Sequence, residues 1–313
     1  MNNIEPISQT KLFGLDKFII ELIQLDKSNK LPSKILLSGQ KGLGKSTLAY
    51  HFINYALSMD ESDAYDIDKN EIFTTNKSFN LLNNKTHPNF FSVDLIEAKK
   101  NIEISQIRSM IEYTNKSSFN NKPRFILINN IEFLNINSAN ALLKVLEEPN
   151  KGVFFILIHN NSKKIKDTIT SRCINFKLNL SFNEINKISS SLINSDVYSE
   201  FNEDFINNYN TPGFYLKLLD FAKTNEIDIK KLTLKEFLLF IIDNNFFKKN
   251  LYIKKNFSIF VQLYFLQLIK QLDNRDYLID LYSKFINDLN NCDKFNLDYE
   301  TLFLEFKSKV LNG

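Results

Sequence analysis

Apolar residues recur along the first half of the chain with two alternating periods. Leu15, Phe18, Ile19 and Leu22 repeat at helical spacing and so share one face of a helix. Lys34-Ile-Leu-Leu-Ser38 is a short apolar run before a glycine-rich turn and reads as a buried strand. Leu48, Phe52 and Tyr55 mark a second helix, Phe90 to Leu95 a strand, and Ile104, Ile107 and Ile111 a further helix. Arg124 to Ile128 reads as strand. Ala139, Leu142, Leu143 and Leu146 form a helical stripe stopped by Pro149, and the runs Val153 to Ile158 and Cys173 to Leu178 are again strands. Strands that are apolar on both faces, separated by helices, imply a parallel sheet covered on both sides. The pattern predicts an α/β domain over residues 1–178, with a polar, acidic, Asn-rich surface excursion over 58–88. Beyond 178 the strand signals stop. Phe205 to Leu219, Leu234 to Phe247, Phe257 to Leu272, Tyr277 to Leu289 and the stretch from Tyr299 read as helices. A small helical domain over 179–222 and a larger all-helical one over 223–313 follow.

Composition narrows the class. The 313 residues are 43% hydrophobic with a formal net charge of +3, enough apolar mass for real cores and too little net charge to argue for or against nucleic acid. Two cysteines and three histidines (His51, His87, His159), all far apart, cannot form a four-ligand zinc module. The greasiest run, Phe257 to Ile269, is too short for a bilayer and is interrupted by Gln262 and Gln267, which excludes a membrane span. The expected location is the cytoplasm.

With only seven glycines in the chain, three within six residues are informative. Gly39-Gln-Lys-Gly-Leu-Gly-Lys45-Ser46 matches G-x-x-x-x-G-K-[ST] and lies between a predicted strand and a predicted helix, the context that a phosphate loop needs. Gly39, Gly42 and Gly44 let backbone N–H groups converge on phosphate oxygens. Lys45 adds a positive charge for the β- and γ-phosphates, Ser46 offers a hydroxyl to Mg²⁺, and Thr47 follows in the first helical turn. ATP and Mg²⁺ are the expected ligands. No zinc is expected.

Hydrolysis does not follow. A P-loop ATPase needs a carboxylate at the end of a neighbouring strand to organise the Mg²⁺ water shell, and in many families a second to polarise the attacking water. The strand Arg124 to Ile128 is followed by Asn129-Asn130, and an amide carries no charge and takes no proton at neutral pH. Glu132 reads as a solvated loop residue. Glu147 and Glu148, adjacent at a helix end, diverge and suit structural or contact roles. The pairs Lys99-Lys100 and Lys163-Lys164 read as solvated surface.

Several segments converge on one family. Leu12-Phe-Gly14 precedes the first helix; His87-Pro88-Asn89 leads into a strand; Ile107-Arg108 follows; then come Asn140-Ala-Leu-Leu-Lys144-Val-Leu-Glu147-Glu148-Pro149 and Thr168-Ile-Thr-Ser171-Arg172-Cys173. Over roughly residues 5–220 this order resembles bacterial clamp-loader subunits, the tau/gamma ATPase and its delta-prime relative. The resemblance implies a RecA-like AAA+ P-loop domain over 1–178, a helical lid over 179–222 and an all-α collar over 223–313. It also implies a hetero-pentamer with delta and tau/gamma subunits that sets a sliding clamp on primed DNA. Arg172 matches the family's Ser-Arg-Cys arginine, which reaches into a neighbouring subunit's ATP site, and Asn160 matches a polar sensor of the γ-phosphate. Asn129 and Asn130, together with Phe214 where active relatives keep an arginine, point to the delta-prime branch, a stator and trans arginine-finger donor. The alternatives are an ATP-hydrolysing tau/gamma motor or another AAA+ DNA-repair ATPase. A small-molecule P-loop kinase leaves Ser171-Arg172-Cys173 unexplained.

Overall fold

The computed structural model describes residues 5–96, 99–116, 120, 122–206, 209–271, 275–295 and 297–311. They pack as two units: residues 1–188 with 211–213, and residues 189–210 with 214–313.

The first unit is built on five parallel strands, β1 (Lys34–Ser38), β2 (Phe90–Val93), β3 (Arg124–Ile128), β4 (Val153–His159) and β5 (Ile174–Lys177), in the order β2-β3-β4-β1-β5. Every residue of β3 is buried, as expected of a strand covered on both faces. The register places Leu36 opposite both Leu157 of β4 and Asn175 of β5. The covering helices are α1 (Asp16–Lys27), α2 (Lys45–Ser58), α3 (Lys77–Asn83), α4 (Ile104–Asn115), α5 (Ile136–Glu147) and α6 (Asp167–Thr170), and α7 (Phe182–Ile193) begins here. Phe52 of α2 meets Phe125 of β3 edge-on, with ring centroids 6.0 Å apart. On the other face Ile107, Met110, Leu142 and Leu146 close over Ile126 and Phe155. Each such fully buried side chain contributes about 1.5–3 kcal/mol.

Residues 58–88 are not a surface excursion. Tyr65, Ile72, Phe79 and Leu82 are buried, and α3 is capped by the Asn76 side chain, which accepts from the Phe79 N–H. The Asn54 amide of α2 also donates to Asn76, at 2.9 Å. A polar run is thus folded inward by amide–amide and cap hydrogen bonds, which hydrophobic periodicity does not register.

The second unit is helical throughout its described residues: α8 (Val197–Glu200), α9 (Glu203–Ile206), most of α10 (Pro212–Thr224), α11 (Leu234–Asp243), α12 (Phe246–Lys249), α13 (Leu251–Gln271), α14 (Arg275–Phe295) and α15 (Tyr299–Phe306). Its core is a set of phenylalanine contacts. Phe237 lies edge-on to Phe205 and Phe260, with centroids 5.4 and 5.1 Å apart, and Phe257 lies 4.1 Å from Phe303. Two helices expected to be continuous are divided. Leu234–Phe247 breaks at Asn245, whose backbone is left-handed with φ 57°, a state that Asn tolerates better than most residues. Phe205–Leu219 resolves into α9 and α10, with Pro212 in the first turn of α10, where its missing N–H costs nothing. Residues 207 and 208, within that expected helix, lie outside the described residues, as does Leu272 of the Phe257–Leu272 run.

Candidate functional site

The carboxyl ends of parallel strands are where open α/β sheets gather their chemistry. Here β1 leads through Ser38 into the Gly39–Ser46 loop, and Gly44 is the N-cap of α2. The strands therefore aim the loop, and the helix carries the loop's N–H groups and its own positive end to one point. Lys45 is 3% exposed. Its ammonium donates to the Gly39 and Gln40 carbonyls at 2.8 and 2.6 Å. Burial lowers its pKa to about 8, Glu132 opposing and Lys41 reinforcing the shift. Thr47 lies half-buried in the first turn of α2.

Thr211 and Gly213 press on this loop from outside. The Thr211 hydroxyl donates to the Lys41 carbonyl at 2.9 Å, and the Gly213 N–H donates to the Gly42 carbonyl at 3.0 Å. A side chain at Gly42, where φ is +90°, would overlap the Thr211 hydroxyl. In the sequence Thr211-Pro-Gly213 is only a landmark, because nothing local signals a contact across 170 residues.

Hydrogen bonds link Ser46 to Asn129 and Asn130 to Asn160. The Ser46 hydroxyl donates to Asn129 Oδ1 at 2.9 Å. Asn130 sits at the tip of β3 in a left-handed conformation, φ 56°. Its amide nitrogen donates to Asp94 Oδ1 at 2.6 Å, and its oxygen accepts from the Asn160 amide at 2.8 Å. The site thus joins the ends of β1, β2, β3 and β4 through side-chain amides.

Two carboxylates belong to it that the sequence did not place there. Glu132 is not a solvated loop residue: it is 8% exposed and accepts the Asn160 backbone N–H at 3.2 Å and the Ser162 hydroxyl at 2.8 Å. Buried carboxylates require such donors, and these hold the β4 end against the turn after β3. Asp94, directly after β2, keeps a solvent-facing edge. Partial desolvation raises its carboxyl from the ordinary Asp value. Hydrogen bonds from Asn130, the Leu95 N–H and Asn129, with the charge of Lys85, oppose that rise. Nothing in the sequence marked it, because the strand expected over Phe90 to Leu95 ran past Asp94, whereas β2 ends at Val93.

Arg172 stands apart from this network. It follows α6, is about one third exposed, and its guanidinium donates to the Thr168 carbonyl and to Glu147 Oε1, each at 2.8 Å. Glu147, at the end of the Asn140–Pro149 element, is therefore the partner of the Ser-Arg-Cys arginine. Lys99 pairs with Glu103 at 3.0 Å, Lys164 with Asp167 at 3.4 Å, and Lys163 lies 4.7 Å from the Phe133 ring centroid. His51 is fully buried, between the Tyr65 hydroxyl and the Gln9 carbonyl, and has a structural part. Phe214 packs on Phe260.

The donor set suits a nucleotide's magnesium ion. Ser46 Oγ and Asn129 Oδ1 are hard oxygens 2.9 Å apart, and such ions take oxygen donors while retaining most of their water. No described helix is long and apolar enough to cross a membrane.

A family model described as DNA polymerase III, delta subunit, matches residues 14–181. DNA polymerase III subunit delta′ of Pseudomonas aeruginosa is 32% identical over 139 residues, 44% of this chain and 40% of the relative. Subunit gamma of Buchnera aphidicola subsp. Schizaphis graminum is 35% identical over 178 residues, 56% of this chain and 46% of the relative. The matched stretches span less than half the length of these relatives. Among solved structures, a DNA polymerase III gamma subunit-related protein from Thermotoga maritima superposes with a TM-score of 0.51 at 16% identity, covering 92% of this chain and 97% of that one. The fold is that of the AAA+ P-loop proteins, with a helical C-terminal part. From its phosphate loop to its Ser-Arg-Cys element, the chain belongs to the DNA polymerase III clamp-loader family.

Proposed function

We propose that this chain is a delta-prime-type subunit of a clamp loader, a stator that donates Arg172 to the ATP site of a neighbouring subunit. The observation that carries this reading is the end of β3. Asn129 and Asn130 stand where a hydrolysing site needs carboxylates, and both amides are already committed to Ser46, Asp94 and Asn160. A site with uncharged groups at these positions holds a nucleotide through the loop N–H groups, Lys45 and Ser46 and turns it over poorly. When bound, Mg²⁺ would neutralise phosphate charge, with Ser46 and Asn129 as its protein oxygens. Gly39, Gly42, Gly44 and Thr47 shape the cradle, and Asn160 faces the γ-phosphate side. Arg172, permanently charged and planar, suits the charge that builds on a transferring phosphoryl group, and Glu147 holds it extended until a neighbour's phosphate competes for it.

The partners in this reading are delta and tau/gamma subunits in a hetero-pentamer, a sliding clamp and primed DNA. Residues 179–222 serve as lid and 223–313 as the collar of the ring. A second reading, an ATP-hydrolysing tau/gamma motor, is favoured by the complete phosphate loop and by the gamma relative.

Single-turnover hydrolysis by the purified chain, with Lys45→Ala as control, separates the two. The stator reading expects ATP to remain intact. Hydrolysis that Lys45→Ala abolishes would overturn that reading in favour of the motor. In the reassembled loader, Arg172→Ala is then expected to remove the contribution of one neighbouring ATP site to DNA-stimulated hydrolysis, while subunit assembly by gel filtration is unchanged. Undiminished hydrolysis would count against the finger.

A further inference from the structure

The end of β3 lacks a carboxylate, yet the site does not lack one. Asp94 lies one residue beyond β2, the strand that pairs with β3 through Val93 opposite Ile128. Two donors converge on it. The Asn130 amide donates to Asp94 Oδ1 at 2.6 Å, and the Leu95 N–H donates to the same oxygen at 2.6 Å. Asn129 lies beside it, its backbone N–H donating to the Val93 carbonyl at 2.9 Å. The orientation of both amides is dictated by their other partners. The oxygen of Asn130 is taken by the Asn160 amide, so its NH₂ group is turned toward Asp94, while the oxygen of the neighbouring Asn129 is taken by the Ser46 hydroxyl. Two adjacent amides at the end of β3 thus hold the phosphate-loop hydroxyl on one side and a solvent-exposed carboxylate on the other.

Magnesium bound to a nucleotide keeps several waters and is held by phosphate oxygens with one or two protein carboxylates. Ser46 and Asn129 offer neutral oxygens only. We propose that Asp94 supplies, from the end of β2, the carboxylate charge for a nucleotide-bound magnesium ion that the end of β3 lacks, acting on the ion's water shell beside Ser46 and Asn129. This assignment rests on the reading of the phosphate loop as a nucleotide site. It does not require hydrolysis, because a charge that orders metal-bound water contributes to binding whether or not an acid activates the attacking water.

The test is ADP binding to the full chain by calorimetry, in excess Mg²⁺ and in EDTA. Wild type is expected to bind ADP roughly tenfold more tightly with Mg²⁺ than without, the scale of one additional charge contact in a wet site. Asp94→Asn keeps the shape and removes the charge. It is expected to lose most of the Mg²⁺ gain while its affinity in EDTA is unchanged or higher. Asn129→Asp in the Asp94→Asn background returns a carboxylate to the site from β3 and is expected to restore the gain. Asp94→Ser, which shortens the side chain, provides the same comparison should Asp94→Asn fail to fold. Full Mg²⁺ dependence in the Asp94 variants, or equal wild-type affinity in Mg²⁺ and EDTA, overturns the assignment. A wild-type chain that binds no ADP in either condition overturns it too, and leaves the arginine-finger reading to its own test at Arg172.

Discussion

Gly42 carries two burdens at once, a left-handed backbone and a close neighbour. Its φ of +90° disfavours any L side chain, and the Thr211 hydroxyl fills the space where a Cβ would go. Gly152 has the first burden without the second: φ is +76°, and no neighbouring atom lies within 4 Å of where a Cβ would stand. Gly152→Ala is therefore expected to cost about 1 kcal/mol, from backbone strain alone. Gly42→Ala is expected to cost about 2–3 kcal/mol, because Thr211 must also move. Thermal melts of the two variants check the difference; equal losses would mean that the Thr211 contact contributes nothing. At this scale the phosphate loop was legible from sequence because its chemistry is local: three glycines, a lysine and a serine at fixed spacing. The Asn129-Asn130 pair was legible for the same reason. Glu132 and Asp94 were not, since what makes them part of the site is a set of donors on other strands, Asn160, Ser162 and Asn130.

Elements show the same division between local and distant causes. The edge strand β5 is largely exposed and was readable only from its Cys173 to Leu178 run, whereas the central strands were readable because a doubly covered strand is apolar almost throughout, as β3 is. Arg124, at the head of that strand, is the exception and has a purpose in another element. It is 8% exposed and donates to the Lys116, Tyr113 and Thr114 carbonyls at 2.7, 3.3 and 3.3 Å. A guanidinium there adds a charged donor to the carbonyl end of α4, where the Lys116 N–H also reaches Tyr113 and the Asn150 amide Thr114, and complements the negative end of the helix. Arg124→Met is expected to destabilise the protein by about 2–4 kcal/mol, since it strips buried acceptors of a charged donor. Hydrogen exchange should show the last turn of α4 opening first. Exchange confined to β3 would place the damage in the strand instead. Helix α3 was missed because its cap and its anchor are both asparagine, and the α11–α12 break because one left-handed Asn245 leaves no mark in an apolar period.

Acid sensitivity belongs to the whole molecule. His51 donates from Nε2 to the Gln9 carbonyl, which can only accept, so Nδ1 is the acceptor for the Tyr65 hydroxyl. Burial lowers its pKa to about 4, the Gln9 bond opposing, and burial takes His87 to about 4 as well, with Glu61 opposing and Lys122 reinforcing. Between those values and the unfolded value near 6.5, the unfolded chain binds more protons than the folded one, so stability rises with pH across that window. Full stability holds above about pH 6.5 and is lost as pH falls toward 4, by up to about 3 kcal/mol for His51. Urea midpoints from pH 7.5 to 4.5 measure this. His51→Gln is expected to flatten the slope, and an unchanged slope would acquit the residue. The all-helical second unit was legible in outline from the disappearance of strand signals after 178. Its phenylalanine pairing was not, because which ring meets which depends on helix directions that no periodicity states.

Cys173 and Cys292 give the chain two internal clocks. Each unit holds one of the two sulfurs, both shielded from solvent, and burial pushes the Cys173 thiol up to about 11, away from the reactive thiolate. Neither sulfur meets an alkylating reagent while its own unit stays closed. When alkylation outpaces reclosing, the rate at which each becomes labelled is the rate at which that unit opens, so one native molecule, with no dye or engineered probe, reports the breathing of its phosphate-loop half and its helical half separately.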